Sequence, residues 1–589
     1  MLAFEAVEFL RARRIPRSQT WEGRGWFIRG KISSAMSSAR TRAALAALLL
    51  LLLPISPRAQ GDPHLSPDEM KEWLTYLSSD ELQGRQVFTE GLGLAASYIA
   101  DHLKEWGVKP AGDAGTYFQT VKVLGMRTRS RSSVTVTVKG RTRTFEDGEG
   151  VTFPKNQGSK RVVTGRVVFT GYGLTFAPLH VDDYAGVDAA GKVVVYLGRG
   201  GAGFTDAQNR VVNARGRAAV DTYHAVAAIG PRREPDQPTA GNSNNPRRVD
   251  FQTTQVVDAP AAPLVTAGDD FFTFLFAGSG RSYDDIKGLA DRREPLPAVS
   301  LDATVTINVD ADYELVQTRL TRNVVGIVEG TDPALKDTYV LFGAHYDHVG
   351  YQQFAGTEAA GVGAIASCAG QTRPTPKPGD IINNGADDDG SGTVTLMALA
   401  KAFATGEKPK RSVLLIWHAG EEAGLLGSRY MADHPVVPID HMAAELNIDM
   451  VGRNRCDDPG EANTVYLVGS DRISTELHNI NEEANASLPM PLRLDYEMND
   501  AADLESLYTR SDHYSYASKG VPIIFFTTGL HRDYHYVTDE VDKILFPKMV
   551  RIADLVYATG WRVANLDHLP VRDNKGPRMG VGKTGRIGS

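Results

Sequence analysis

The sequence has 589 residues, of which 42% are hydrophobic and 23% are charged, a composition typical of globular proteins that excludes a fibrous or wholly disordered chain. The formal net charge is −7, and without the basic region 1–59 it falls to −14, which disfavours nucleic acid and anionic lipid as partners. The two cysteines, Cys368 and Cys456, are too few for a disulfide scaffold or a thiolate zinc site but leave one bridge open.

The N-terminal region 1–59 has the layout of a secretory signal. Arg40 and Arg42 precede an unbroken apolar run, 43–53, which is followed by proline and small residues. The run is shorter than the ~20 residues of a membrane-spanning helix, and no comparable run follows it. We therefore expect an exported protein, periplasmic or secreted, without stable membrane insertion after signal removal. Met36 lies upstream of a complete signal and is a candidate for the true start, and an N-terminal membrane anchor is the alternative.

Hydrophobic periodicity divides the rest of the chain into three regions. The segment 66–107 is predicted to be helical, because apolar residues recur at helix spacing. Short β-rich runs broken by glycine and proline follow from 162 to 297 and indicate a separate β domain. From 303 onward, β runs alternate with helical ones, which predicts an α/β fold with a mixed, mostly parallel sheet and helices on both faces. The expected strands are 324–328, 339–342, 413–417, 444–448 and 521–526, and the expected helix is 391–404.

Five short segments of this last region place His, Asp or Glu directly after a predicted strand or at the start of a helix, at the sheet edge where sites form. Each has an ordinary explanation by itself, such as a structural histidine or a turn-forming aspartate. Together they bring several carboxylates to one edge, where these would repel unless a cation held them. Nitrogen and oxygen ligands without thiolates suit zinc, with manganese or cobalt as substitutes. The segments are 343–347, 385–392, 418–422, 447–450 and 533–535.

These segments resemble metallopeptidase family 28, the co-catalytic zinc peptidases that include aminopeptidases and glutamate carboxypeptidase relatives. The resemblance covers about 323–558 and extends to the Asp-Glu-Leu-Gln-Gly-Arg stretch at 80–85 and to 117–119. It implies a zinc aminopeptidase-like fold. The β-rich segment, which includes Gly-Tyr-Gly at 171–173, resembles the protease-associated domain that some members carry as an insert. The expected role of that insert is a lid that restricts access to short peptides, with a spacer or a wall of the substrate cleft as alternatives.

The resemblance implies a site for two zinc ions. Asp388 would bridge both ions, His345 and Asp449 would complete one subsite, and Glu422 and His535 would complete the other. Asp387 and Asp389 are rival candidates for the bridge. The choice among three consecutive aspartates depends on how the Gly-Ser-Gly that follows them is aligned with the family's motif.

The resemblance also implies roles around the metals. Glu421 would take the proton of a metal-bridging water and pass it to the leaving amine. Asp347 would accept the second ring proton of His345 and fix its tautomer. Tyr534 would stabilise the oxyanion, although a packing aromatic is the alternative. The remaining histidines of these segments, read as supporting or substrate-facing residues, are His348, His418, His513 and His531.

The resulting division of the chain has five parts. They are a signal region (1–59), the N-terminal part of the peptidase domain (60–160), the protease-associated insert (161–300), the catalytic domain (301–567) and a flexible tail (568–589).

The function expected from this reading is an exported zinc-dependent exopeptidase acting on peptides, with an aminopeptidase favoured by analogy. Acidic residues near the site (Asp512, Glu505) would suit a substrate ammonium, whereas basic ones (Arg453, Arg510) would suit a carboxylate. A carboxypeptidase or dipeptidase of the same family is therefore an alternative. A single-zinc glutaminyl cyclase and a non-catalytic scaffold are two others, and the oligomeric state stays open.

Overall fold

The computed structural model describes residues 65–176, 180–198, 200, 209–232, 250–253, 262–351, 368, 371–500 and 507–573. The predicted signal region lies outside the described residues, as does the predicted tail beyond 573. Among the described residues, no helix has both the length and the apolar character needed to cross a membrane.

The described strands belong to two large sheets and two small ribbons. In chain order they are β1 (Lys109–Pro110), β2 (Phe118–Ser130), β3 (Ser133–Val138), β4 (Arg141–Glu146), β5 (Val151–Thr152), β6 (Arg161–Phe169), β7 (Thr175–Phe176), β8 (Val181–Asp182), β9 (Val193–Val195), β10 (Ala227–Pro231), β11 (Asp250–Thr253), β12 (Leu264–Ala267), β13 (Ala303–Val309), β14 (Ala311–Val328), β15 (Tyr339–His345), β16 (Gly350–Tyr351), β17 (Ile382–Asn383), β18 (Ser412–His418), β19 (Met442–Ile448), β20 (Thr464–Val468), β21 (Arg493–Asp495) and β22 (Ile523–Thr527).

The α-helices of the described residues cover both faces of the first sheet and pack on the second. In chain order they are α1 (Pro67–Leu77), α2 (Glu90–Glu105), α3 (Asn209–Asp221), α4 (Asp269–Phe276), α5 (Tyr283–Asp291), α6 (Gly392–Thr405), α7 (Leu426–Asp433), α8 (Thr475–Ala486), α9 (His513–Ala517) and α10 (Phe546–Asn565).

The main sheet has the strand order β11-β2-β14-β18-β15-β19-β22-β20-β21, with β1 paired to β14. Its centre is parallel, because β15 pairs with β18 and β19, and β19 pairs with β22, all in parallel. The flanking strands β14 and β20 run antiparallel to this centre. The predicted mixed α/β fold is confirmed. Within this sheet, parallel pairing is confined to the central strands and the β20–β21 edge, so the sheet is mixed without being mostly parallel as expected.

The central strands β15, β18 and β19 are buried almost completely on both sides. On one face, α1, α2, α6 and α10 contribute to a single large apolar core with these strands. On the other face, Met431 of α7 and Tyr516 of α9 pack against Leu341, Leu414 and Ile416. This two-sided burial explains why the central strands appear in the sequence as continuous apolar runs rather than alternating ones.

The predicted helical segment 66–107 forms two helices, α1 and α2, separated by a 3₁₀ turn at Asp80–Arg85. Gly84 in this turn has a φ of 64°, and a Cβ there would lie 2.6 Å from the backbone oxygen of Asn383. The turn therefore packs closely on the chain that leads into the Asp387–Asp389 run.

The second sheet has the order β4-β3-β13-β6-β9-β10-β12-β5 and its own apolar core, which includes Phe271, Phe272 and Phe276. It extends past the predicted insert 161–300 at both ends, because β3, β4, β5 and β13 pair within it. The long strands β2 and β14 pair with each other and lead from this sheet into the main one. The division into domains at 160 and 300 stays a prediction.

Candidate metal centre

The candidate residues meet at one edge of the main sheet because the parallel strands β15, β18 and β19 all end there. His345 is the last residue of β15, and Asp449 directly follows β19. Glu421 and Glu422 lie in the loop after β18, and Asp388 lies in the turn that leads into α6. Since the carboxyl ends of adjacent parallel strands share an edge, residues far apart in sequence converge.

One group of ligand atoms forms around His345. Its Nε2 lies 3.3 Å from Asp388 Oδ1 and 3.7 Å from Asp449 Oδ2. Its Nδ1 faces the backbone carbonyl of Asp347 at 3.2 Å and the carboxylate of the same residue at 3.7 Å. If Nδ1–H donates to that carbonyl, Nε2 is left as an acceptor for a metal ion.

Asp347 has a second contact that the sequence did not predict. Its Oδ1 accepts the backbone N–H of Glu421 at 3.1 Å. The residue therefore connects the loop after β15 to the loop that carries both glutamates.

A second group of ligand atoms forms around Glu422. His535 Nε2 lies 3.0 Å from both Asp388 Oδ2 and Glu422 Oε2. His348 Nδ1 lies 2.9 Å from Glu422 Oε1 and 3.8 Å from Asp388 Oδ2. Asp388 thus directs one oxygen to each group, which is the position of a bridging carboxylate.

The two neighbours of Asp388 are directed elsewhere. Asp387 Oδ1 accepts the backbone N–H of Gly452 at 2.6 Å, and its Oδ2 lies 3.1 Å from His531 Nε2. Asp389 accepts the backbone N–H groups of His345 and Met450. Both side chains therefore brace the backbone around the site, whereas Asp388 faces both ligand groups.

The electrostatics of the cluster favour a bound cation. Burial opposes ionisation, but the contacts with His345 and His535 hold the pKa of Asp388 well below its usual range. Several buried ligand atoms have no hydrogen-bond partner among the described residues: Asp388 Oδ2, Glu422 Oε1, His535 Nε2 and both ring nitrogens of His348. Orphaned buried acceptors of this kind, supplied by imidazole and carboxylate, are a donor set that fits zinc.

A small cavity opens beside the first ligand group. Tyr534 lies on its wall, and its hydroxyl oxygen accepts a hydrogen bond from the Arg510 guanidinium at 2.9 Å. The Tyr534 ring stacks on His535 with centroids 3.9 Å apart. The cavity is lined by His345, Asp388, Glu421, Asp449, Met450, Leu507, Arg510, Ser511, Phe525, Thr527, Leu530 and Tyr534.

Other candidates from the sequence lie outside the two ligand groups. His418 contacts the Tyr516 hydroxyl at 2.8 Å and Asp512 at 3.3 Å. Arg453 pairs with Asp457 and Asp533. Glu505 lies outside the described residues.

Arg85 is a component of the site that sequence reasoning noted only as part of a motif. Its guanidinium is buried and donates hydrogen bonds to four backbone carbonyls, those of Leu77, Tyr346, Asn384 and Gly385. It therefore joins α1 to the loops on either side of the metal ligands. The Asp-Glu-Leu-Gln-Gly-Arg stretch at 80–85 was the available signal, but it did not indicate which residues Arg85 contacts.

Cys368 and Cys456 form a disulfide, with Cα atoms 5.3 Å apart. The backbone N–H of Cys456 donates to the Leu530 carbonyl at 2.9 Å. Because Leu530 lines the cavity, the bridge that the sequence left open lies at the rim of the site.

Comparison with known proteins identifies this region. Residues 323–560 match the model of peptidase family M28. This region is a peptidase family M28 domain. It contains all of the candidate ligands.

Individual relatives match more weakly. A protein of Pyrenophora tritici-repentis (strain Pt-1C-BFP) named "Probable zinc metalloprotease" is 29% identical over 169 residues, which cover 29% of this chain and 33% of that protein. A protein of Arthroderma otae named "Leucine aminopeptidase 1" is 28% identical over 186 residues, covering 29% and 46%. The matched part thus spans a third to about half of these relatives' length. Among solved structures, the aminopeptidase from Aneurinibacillus sp. strain AM-1 is 19% identical, with coverage of 87% and 98% and a TM-score of 0.43.

Proposed function

We propose that the protein is an exported exopeptidase with two zinc ions, and that it removes N-terminal residues from peptides. The observation that carries the proposal is the placement of Asp388, whose two oxygens face His345 on one side and His535 on the other. Asp449 completes the first subsite and Glu422 the second. Manganese or cobalt would fit the same donors. Membership of the M28 family supports hydrolysis of peptide bonds.

Bound zinc would supply Lewis acidity, which polarises a carbonyl and makes water more acidic. Glu421 lines the cavity without belonging to either ligand group. Burial, together with the nearby charges of Glu422 and Asp512, raises the pKa of Glu421 well above its usual range. A carboxylate with a raised pKa can accept a proton from water and deliver it to the leaving amine near neutral pH.

Tyr534 is placed to stabilise the oxygen on which negative charge develops. Because its hydroxyl oxygen accepts a hydrogen bond from Arg510, its own O–H is free to donate into the cavity. A preorganised donor of this kind lowers the free energy of the transition state. The role of Asp347 is to hold both His345 and the backbone of Glu421.

The basic side chains near the cavity are engaged by other residues, which disfavours recognition of a substrate carboxylate. Of the three carboxylates that line the cavity, Asp388 and Asp449 would hold metal, which leaves Glu421 and one guanidinium, that of Arg510. Arg510 is hydrogen-bonded to Tyr534, and Arg453 is paired with aspartates outside the cavity. This balance supports an aminopeptidase rather than a carboxypeptidase.

Metal analysis combined with Glu421→Gln tests the proposal. We expect two zinc ions per chain in both the wild type and the variant, and release from amino-acid anilides only in the wild type. Glu445→Gln is the matched control, because Glu445 is fully buried on β19, outside the cavity lining, and burial raises its pKa well above the usual range. A glutamine amide has nearly the same shape as this carboxyl, so we expect this control to retain turnover.

Other results would select the alternatives. Hydrolysis of N-blocked peptides instead of free-amine substrates would favour a carboxypeptidase. One zinc per chain would favour the glutaminyl cyclase reaction, and no turnover with any substrate would favour a scaffold.

A further inference from the structure

His348 occupies a position in the second ligand group that the family resemblance does not assign. It lies three residues after His345, in the loop that follows β15, and its side chain is buried. Nδ1 lies 2.9 Å from Glu422 Oε1 and 3.8 Å from Asp388 Oδ2. The sequence alone placed this residue among supporting histidines.

The surrounding chain holds the His348 ring in place. The backbone N–H of His348 donates to the Arg85 carbonyl at 3.2 Å, and His348 forms a parallel β-bridge with Gln86. The ring lies against Gly385, where a Cβ would be 2.6 Å from two ring carbons. Gly385 also has a φ of 56°, so glycine suits this position both by its conformation and by the space it leaves for the imidazole.

Neither ring nitrogen of His348 forms a hydrogen bond among the described residues, although Nδ1 lies 2.9 Å from Glu422 Oε1. A buried polar group without a partner costs about 1–3 kcal/mol. Coordination of Nδ1 to a metal ion would satisfy one of the two nitrogens. The two carboxylate oxygens nearest to this nitrogen belong to residues already assigned as ligands.

His348, Asp388 and Glu422 offer ligand atoms that all lie within 4.8 Å of one another, and His535 approaches the second oxygen of Glu422. A tetrahedral zinc with bonds of about 2.0–2.1 Å separates its ligand atoms by about 3.3 Å. The separations within the second group are 2.9 and 3.8 Å from His348, and 3.0 Å twice from His535. The ring centroids of His348 and His535 lie 5.6 Å apart, and the angle between the ring planes is 76°.

We propose that His348 is a fourth protein ligand of the second zinc, through Nδ1, together with Asp388, Glu422 and His535. This inference rests on the proposed two-zinc function. A fourth ligand in the second subsite makes the two subsites unequal, because the first subsite has only three protein ligands, those of His345, Asp388 and Asp449. Closed four-ligand sites are typical of tightly held zinc, whereas an open position is typical of a reactive one. The second subsite should therefore fill first, and the first should keep an open position beside Glu421.

X-ray absorption spectroscopy of the zinc-loaded full chain tests this assignment by counting imidazoles. With one equivalent of zinc, we expect two imidazoles on the metal in the wild type and one in His348→Phe, in which a ring still packs against Gly385. Competition with a chelator should show that the variant binds its tightest zinc at least about tenfold more weakly. His348→Asn serves if the phenylalanine disturbs folding.

His478→Asn is the control for loss of a buried imidazole, since His478 is buried on α8 and bonds to Ser470. It should leave the imidazole count and the zinc affinity unchanged. An average of one imidazole per zinc in the wild type with two equivalents bound, instead of three imidazoles shared by two zinc ions, or equal affinity in wild type and variant, would overturn the assignment of His348 while leaving the two-zinc function intact. Absence of zinc binding in the wild type would overturn both.

Discussion

His513 is a buried histidine whose titration should affect stability without taking part in the metal centre. It begins α9, its Nε2 contacts the Tyr508 carbonyl at 2.9 Å, and its ring stacks on Phe525. Burial lowers the pKa of His513 to about 3. Because an unfolded histidine has a pKa of about 6.5, the unfolded chain binds more protons between these values. Stability from this residue is thus fully present above pH 6.5 and is lost as the pH falls.

The expected loss is about 1.4 kcal/mol per pH unit below 6.5, or roughly 2 kcal/mol at pH 5. His513→Gln cannot take up this proton, and its amide N–H can still donate to the Tyr508 carbonyl. Urea unfolding of both proteins at pH 7 and pH 5, after chelation of metals, measures the difference. We expect the wild type to lose more free energy of unfolding than the variant. Equal losses would show that His513 becomes protonated in the folded state.

The sequence predicts the position of a residue well when its contacts lie close to it in the chain, and poorly when they lie far away. His345 and Asp449 were expected at one sheet edge because each directly follows an apolar strand, and the structure brings them to the same edge. The family resemblance implied that they are ligands. The contact of His348 with Glu422 depends on the space above Gly385 and on a loop 74 positions away, and neither is visible in a motif. The hydrogen bond from Glu421 to Asp347 is non-local for the same reason.

At the scale of elements, the turn at Asp80–Arg85 braces the metal-binding loops through Arg85. Arg85→Lys leaves a positive charge but a single nitrogen, which cannot reach the four carbonyls that the guanidinium contacts. Loss of about two charge-assisted hydrogen bonds should lower the free energy of unfolding by roughly 3 kcal/mol. The loops at 345–350 and 383–385 should also loosen, so we expect weaker zinc binding.

Arg411→Lys provides the matched comparison for Arg85→Lys. Arg411 is also buried and donates to the His568 carbonyl, but it precedes β18, at the end of that strand opposite to the site. Urea unfolding and zinc titration of both variants separate general loss of stability from loss of positioning. We expect both to be destabilised and only Arg85→Lys to bind zinc more weakly. The same zinc affinity in the two variants would limit Arg85 to a role in folding.

Elements of the main sheet were predictable because their burial leaves continuous apolar runs. The strand expected at 413–417 is observed at Ser412–His418, and the helix expected at 391–404 is observed at Gly392–Thr405. The second sheet was harder to delimit, since strand β3 precedes the expected insert and pairs with β13, which follows it, and β4 pairs with β3. Long-range pairing of this kind leaves no local signal at the boundary.

At the scale of the whole molecule, the two sheets have separate apolar cores, and every proposed zinc ligand lies at the edge of the main sheet or in the loops that leave it. Zinc should therefore stabilise only one of them. A ligand that binds the folded state stabilises it by RT ln(1 + [L]/Kd), about 2.7 kcal/mol per site at a free concentration of 100 Kd. Without metal, the buried carboxylates of Asp388, Glu422 and Asp449 repel one another, which further lowers the stability of the main sheet relative to its zinc-bound form.

Scanning calorimetry of the full chain with zinc and with a chelator tests this independence. We expect two transitions, of which chelation lowers one midpoint and leaves the other unchanged. Phe272→Ala should lower only the transition that chelation leaves unchanged, because Phe272 is fully buried in the core of the second sheet and its removal costs about 3–5 kcal/mol. A single transition that both treatments lower would mean that β2 and β14, which run between the sheets, couple them into one cooperative unit.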